Sequence, residues 1–341
     1  MMEMELRYAN EDQDDEVTEI TYLSWGAPHV TRDQYKERED LFRSTNFGQW
    51  MIDYVFVPKN DRDTIDVRGY LELFKRTCVI FPHDESTILT LDCYSVASVF
   101  TPEKHRKKGY ASAMLQAFVA SQSFQPYIVS NLYSDIGAKF YTENGWKLFS
   151  SEEIIFPVNQ DEEFNVIESS QLYTIDSRAE LDEVCELDRK NMMGALKPGQ
   201  VGILMTSDCI EFYHVKHKYC GKHNHKLEVL STKYGAYTRN QSGITDYVLW
   251  TYNFESTTLD VLKYHAQLDV LPELIQLMKA EAKEWGLISI RLWPTKEMQL
   301  PVNVLDLAQP RSTGLSMLLV KSNNDTNEAF EWISNEKYLY A

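Results

Sequence analysis

The chain has 341 residues, 43% of them hydrophobic, enough for two domains with sizeable cores. Its formal net charge of −17 argues against a nucleic-acid-binding surface, which needs a basic stripe; it suits a cationic substrate, or solubility alone. Five widely spaced cysteines without a CxxC argue against a disulfide framework, residues 1–15 are acidic with no apolar leader, and no run approaches the roughly 18 apolar residues of a membrane span. The cytosol is the expected location.

In chain order, Thr31 can cap a charge-rich helix reaching Phe42, with Asp33 and Gln34 in its first turn. A strand is expected over 50–57, ended by Pro58, then a loop at 60–63, β-rich sequence over 70–81 and a strand over 89–100. A helix over 109–121 places Met114, Leu115 and Phe118 on one stripe. Residues 127–129 read as a short strand, and Ser134-Asp135 as the cap of a helix that stops at Gly145. Residues 146–149 and 154–156 are strands, a candidate hairpin. The acidic 159–170 segment reads as a linker between units 1–160 and 171–341.

Beyond the linker, a helix is expected over 178–193 and strands over 246–254 and 258–265. An amphipathic helix over 271–285 ends at Gly286, and a strand over 287–293 is closed by Pro294. This strand–strand–helix–strand run echoes residues 95–128, so a weak internal repeat is expected. The second copy has Gln267-Leu-Asp-Val where the first has a basic glycine loop, and so lacks the phosphate-binding part.

The chemistry is concentrated between Ser98 and Ser112. A strand runs into the basic residues Lys104, His105, Arg106, Lys107 and Lys108, then Gly109 and a helix start. A diphosphate needs clustered backbone N–H groups and a positive field, and a loop feeding a helix N-terminus supplies both. Gly109 permits unusual φ and close backbone approach, and Ala111 lets the helix start pack tightly. Alone, Arg106-x-x-Gly109-x-Ala111 also describes an ordinary surface loop. A second motif follows it in Phe140-Tyr141 through Gly145-Trp146.

Together the two motifs resemble the GNAT superfamily of N-acetyltransferases over about residues 18–158. Residues Arg106 to Ala111 resemble its acetyl-CoA loop, and Phe140-Tyr141 with Gly145-Trp146 its later helix-to-strand signature. The resemblance implies an α/β fold with a mixed sheet, a second, degenerate GNAT-like domain, and acetyl-CoA as co-substrate without a metal. It assigns Val99, Phe100 and Thr101 to the strand that pairs with pantetheine. It gives Arg106, Lys107, Lys108, Gly109, Tyr110, Ala111 and Ser112 to the diphosphate loop. Ser134 stands where the family often has Asn near the pantetheine arm, and Tyr141 matches the acid that protonates the leaving thiolate. The segments around Ala97 and Arg106, the chain length and the tail from Trp332 to Tyr340 are similar to fungal lysine N6-acetyltransferases of lysine catabolism. That likeness implies L-lysine as the small-molecule partner, with no nucleic acid and no membrane. A polyamine, another small amine, a protein lysine, or a non-catalytic acyl-CoA-binding scaffold are the alternatives.

The base is expected from a buried carboxylate. Glu72, flanked by leucines in a strand, is the first choice and Asp92 the second, although either would also serve as an outward-facing strand residue. His214, His217, Cys220, His223 and His225 have zinc-ligand identities, but no spacing fits a common zinc module. On a helix capped by Ser207 or Asp208, His214, His217 and Cys220 would share a face. Arg311 and Asp246 are candidates for holding free lysine, and the aromatic tail could lie across the cleft or pack on the surface. Oligomeric state has no signal in the sequence.

Overall fold

The structure is a computed structural model that describes residues 3–162, 172–322 and 329–340. The expected linker at 159–170 falls largely outside the described residues. The first half comprises β1 (Met4–Tyr8), α1 (Glu11–Trp25), α2 (Arg32–Ser44), β2 (Met51–Pro58), β3 (Gly69–Phe81), β4 (Leu89–Phe100), α3 (Tyr110–Ser121), β5 (Tyr127–Ser134), α4 (Lys139–Glu143), β6 (Lys147–Leu148) and β7 (Glu152–Pro157). The second half begins with β8 (Leu172–Ile175), α5 (Arg178–Ala195), β9 (Gln200–Ile203), α6 (Ser207–Asn224), β10 (Gly235–Asn240), β11 (Gly243–Asn253) and β12 (Thr258–His265). It ends with α7 (Leu271–Glu284), β13 (Ser289–Leu292), α8 (Val302–Leu305), β14 (Gln309–Pro310), β15 (Leu315–Ser322) and β16 (Glu331–Trp332).

Two sheets organise the chain. The first runs β1-β2-β3-β4-β5-β15-β6, with β9 along the far part of β3 and β16 beyond β9; the second runs β8-β10-β11-β12-β13-β7-β14. Both have the same logic. Three antiparallel steps lead to one parallel step, β4–β5 across α3 or β12–β13 across α7, and an antiparallel strand closes the set. The expected mixed α/β architecture with a second unit of the same kind is therefore present, and the strand–strand–helix–strand echo is a repeat in topology.

The closing strands are exchanged. In the first sheet that place is taken by β15, from the end of the chain, and in the second by β7, from the first half. Residues 146–149 and 154–156 accordingly do not form the hairpin expected. β6 pairs with β15, Phe149 N–H donates to Ser316 O at 2.9 Å, and β7 crosses to β13. Unit 1–160 thus contributes β7 to the second sheet, and unit 171–341 contributes β9, β15 and β16 to the first.

Local chemistry explains most boundaries. Thr31 and Gln34 form a reciprocal capping box at α2, each side chain accepting the other's backbone N–H. Helix α6 is capped by Thr206, whose hydroxyl accepts from Cys209 N–H, and not by Ser207 or Asp208. β5 is eight residues long rather than three, because Ser130, Asn131 and Ser134 are buried polar members of it. Ser95 Oγ donates to Asn131 Oδ1 at 2.7 Å across the parallel step, while Asn131 Nδ2 is buried without a protein partner. Among the described residues no helix is long and apolar enough to cross a membrane.

The tail packs inward. β16 pairs with β9, Tyr338 is fully buried with its hydroxyl on Ile203 O, and Glu336 accepts from Lys263 Nζ and from Tyr264 N–H at 2.8 Å. Burial works against the Lys263 ammonium, but Asp188 and Glu336 outweigh it and raise its pKa above the usual lysine value. Removing one partner of a buried pair leaves an uncompensated charge. We expect Glu336→Gln to lower unfolding stability by about 3 kcal/mol in urea denaturation. A shift within experimental error would show that Asp188 alone is a sufficient counter-ion.

Candidate active site

The site begins where β4 and β5 separate. Their parallel pairing is confined to Tyr94 with Ser130 and Ser95 with Asn131, so β4 beyond Ser95 has no partner on that edge among the described residues. On its other edge β4 carries one extra residue: Tyr70 faces Phe100 while Glu72 faces Ala97. This is a bulge centred on Ser98, whose φ is +49°. The splay and the bulge open onto a cleft of about 470 Å³ between β4, β5, α1 and α2.

Glu72 and Tyr141 both line this cleft. Glu72 is 7% exposed, with Ser98 Oγ donating to it at 2.7 Å and the Tyr70 hydroxyl lying 3.2 Å away. Tyr70 OH also meets Asp53 Oδ1 at 2.5 Å, and Arg43 pairs with Asp53 and stands 3.7 Å from Glu72. Burial, then the nearby charges of Asp53 and Glu39, push Glu72 up to about 7, against the Ser98 hydrogen bond and Arg43. A carboxyl in that range can take a proton near neutrality. Tyr141 is 8% exposed, and burial followed by the charge of Asp135 pushes its phenol up to about 12, so it keeps its proton at neutral pH.

The basic loop forms one end of the splay. Lys107 and Gly109 have φ of +61° and +79°, and Gly109 precedes α3 with no side-chain cap. The first-turn N–H groups of Tyr110, Ala111 and Ser112 are therefore free of a capping side chain, and a Cβ at Gly109 would meet nothing within 4 Å. Arg106 Nε donates to Thr101 O at 3.0 Å, tying the loop to the end of β4. Lys108 Nζ donates to Lys104 O at 2.9 Å, while Lys104 and His105 are held on Asp66 at 2.7 and 2.8 Å. Val99 lines the cleft; Phe100 packs on Trp25 at its rim.

Other expected residues lie elsewhere. Ser134 does not cap a helix: it ends β5, accepts from Ile136 N–H and donates to Gly137 O at 2.6 Å, and α4 starts later without a side-chain cap. The Ser134 turn brings Asp135 and Ile136 to the cleft wall. Asp92 is outside the cleft, paired with Lys75 at 2.7 Å across β3 and β4. Arg311 bonds Gly314 O and Ser316 Oγ beneath the Trp293 ring, and Asp246 accepts from Thr238, Thr245 and Gln267 N–H, so neither faces the cleft. No group of three or more metal-ligating side chains occurs among the described residues. His214 is buried and His217 half-buried along α6, on Trp250 O at 2.9 Å and Thr251 Oγ1 at 2.8 Å.

Several cleft residues carry no sequence signature. Arg38, Glu39 and Arg43 come from α2, whose charge density is visible but whose inward face is not. Lys216 from α6, Glu255 from the β11–β12 turn and Tyr340 from the tail complete the wall from the second half. Tyr340 therefore reaches the cleft although most of the tail is buried in the core.

Residues 154–341 match a family described as the LYC1 GNAT-like C-terminal domain. The chain belongs to this GNAT-like family. A lysine acetyltransferase of Yarrowia lipolytica is 25% identical over 168 residues, covering 41% of this chain; the match spans only 39% of that relative's length. Among solved structures, a probable N-acyltransferase of Enterococcus faecalis aligns with a TM-score of 0.57 at 10% identity, over 93% of this chain and 72% of its own. A GCN5-related N-acetyltransferase of Kribbella flavida gives 0.55 at 13% identity, over 93% and 71%. Saccharomyces cerevisiae N-myristoyltransferase gives 0.53 at 11%, over 94% and 80%. These structural likenesses are of fold, and they extend across both halves of the GNAT-like chain.

Burial pushes the His214 and His217 imidazoles down to about 3, with Lys218 adding to the effect at His214. The unfolded chain, near 6.5 for histidine, then binds more protons, so stability falls as pH drops from about 6.5 toward 3. We expect neither imidazole resonance to titrate between pH 8 and 5, and His217→Gln to flatten the acid limb of Tm against pH. Titration of both near pH 6.5 would place them in solvent instead.

Proposed function

We propose that this chain transfers the acetyl group of acetyl-CoA to the side-chain amine of free L-lysine. The observation that carries this reading is that Glu72 and Tyr141, a carboxyl poised near neutrality and a phenol that keeps its proton, face one cleft beside splayed strands. The family, the relative named a lysine acetyltransferase and a neighbouring fold solved with bound myristoyl-CoA support it.

Each residue then has a task. The free N–H groups at the start of α3, with its positive dipole end, bind the diphosphate, and Lys107 and Arg106 add charge. Pantetheine fills the splay along β4, where the unpaired edge offers N–H groups to it and to the thioester oxygen. Glu72, directly or through a water, takes the proton of the ammonium, which otherwise titrates near 10.4. The free amine attacks the thioester carbon and its nitrogen releases a second proton to solvent; the C–S bond breaks, Tyr141 gives its proton to the departing sulfur, and solvent reprotonates Tyr141.

General acid–base groups contribute about 10²–10⁴-fold to rate. We expect Glu72→Gln to lower kcat by about 10²-fold or more with acetyl-CoA affinity retained, and Tyr141→Phe to lower kcat by a similar factor. In wild type kcat should rise as pH passes through about 7, because the base acts deprotonated, and that limb should vanish in Glu72→Gln. Thioester cleavage over a panel of amines checks all three. Tight coenzyme A binding without turnover on any amine would instead mark a non-catalytic acyl-CoA-binding protein.

A further inference from the structure

Most charges around the cleft are already paired. Arg43 is committed to Asp53 and Glu72, and Arg38 holds Glu39 through two bonds of 3.0 and 2.7 Å. Asp135 accepts from Gly314 N–H at 2.8 Å and from Tyr340 OH at 3.5 Å. Three charges of the wall have no ion pair among the described residues: Asp135, held by those two neutral donors, and the Lys216 ammonium and the Glu255 carboxylate, which the second half supplies. Lys216 and Glu255 are of opposite sign on one wall of the cleft, and Glu255 also accepts from the Cys220 thiol. Lys216 feels the fields of Glu255, Glu39 and Glu72, yet no bridge within 4 Å forms. Burial, then the charge of Arg38, lowers the Lys216 pKa, a cost that an incoming anion would offset.

We infer that Lys216 and Glu255 receive the α-carboxylate and α-ammonium of a free amino acid, making the cleft selective for a zwitterion bearing a side-chain amine. The inference rests on the acetyl-transfer reading and narrows its substrate class. A cation and an anion on one wall, neither in an ion pair, match the two α groups of an amino acid. A diamine offers nothing to Lys216, and a lysine within a polypeptide has neither α charge. An extended lysine side chain spans about 6 Å from Cα to Nζ by ordinary bond geometry. Its amine would thus be directed from the α6 side of the cleft toward Glu72 and Ser98.

The test uses the full chain saturated with coenzyme A, and calorimetry with L-lysine and with L-norleucine, which keeps both α groups but has no side-chain amine. A charge-assisted hydrogen bond is worth about 1.5–3 kcal/mol, or roughly 10- to 150-fold in Kd. Lys216→Met should weaken both ligands at least tenfold, Lys216→Arg should restore most of the loss, and Glu255→Gln should also weaken both. In turnover, Lys216→Met should raise the ratio of KM for L-lysine to KM for cadaverine at least tenfold. Norleucine and lysine binding equal to wild type in Lys216→Met, or an unchanged KM ratio, would overturn the inference while leaving acetyl transfer intact. If wild type binds lysine but acetylates no amine, acetyl transfer fails instead, and loss of lysine binding in Lys216→Met still supports the clamp.

Discussion

β5 has two edges that are treated very differently, and the cleft depends on that asymmetry. Toward β15 it is paired through all eight residues, from Tyr127 with Ser322 to Ser134 with Leu315. Toward β4 it is paired at only two. The eight-residue pairing to β15 anchors β5 in place, so the gap beyond Ser95 lies beside a strand fixed by the far end of the chain. The bulge at Ser98 uses the same gap, since a residue displaced toward Glu72 needs no ladder partner.

The exchange of β7 and β15 also explains how the second half takes part in a site built on the first. With a strand of each half inside the other's sheet, α6 is held against α2 rather than left to a flexible interface. Phe212 on α6 packs edge-on to Phe42 and Phe74, which fixes the helix that carries Lys216 at the cleft wall. The tail adds a second lock, with Glu336 on Lys263 and Tyr338 in the core, and so places Tyr340 against Asp135. The second copy of the fold has kept the parallel step and the crossover helix but not the loop of Gly109, so its contribution is walls and charges.

The sequence carried the fold unevenly. Capping signals at Thr31, the apolar stripe of α3 and the β12–α7–β13 run were legible because each depends on residues close together in the chain. The length of β5 was not, since its buried Ser130, Asn131 and Ser134 read as polar, and the contact of Asn131 Oδ1 with Ser95 exists only in the folded sheet. The hairpin expected over 146–156 was misread because a sequence offers no hint that its partner strand lies more than 160 residues away. For the site, Glu72 stood out by its leucine neighbours and Tyr141 by its motif. Glu39, Asp53, Lys216 and Glu255 are ordinary surface-type residues until tertiary packing gathers them, as no local spacing links them.

The most direct measurement is a crystal structure of the full chain with coenzyme A and L-lysine. The expected result has the diphosphate on the N–H groups of Tyr110 to Ser112, pantetheine along residues 96–100 with its sulfur toward Tyr141, and the lysine side-chain amine within hydrogen-bond reach of Glu72 or a water on it. Coenzyme A seated away from the β4–β5 gap, or lysine with its amine turned away from Glu72, would contradict the assignment of this cleft as the catalytic site.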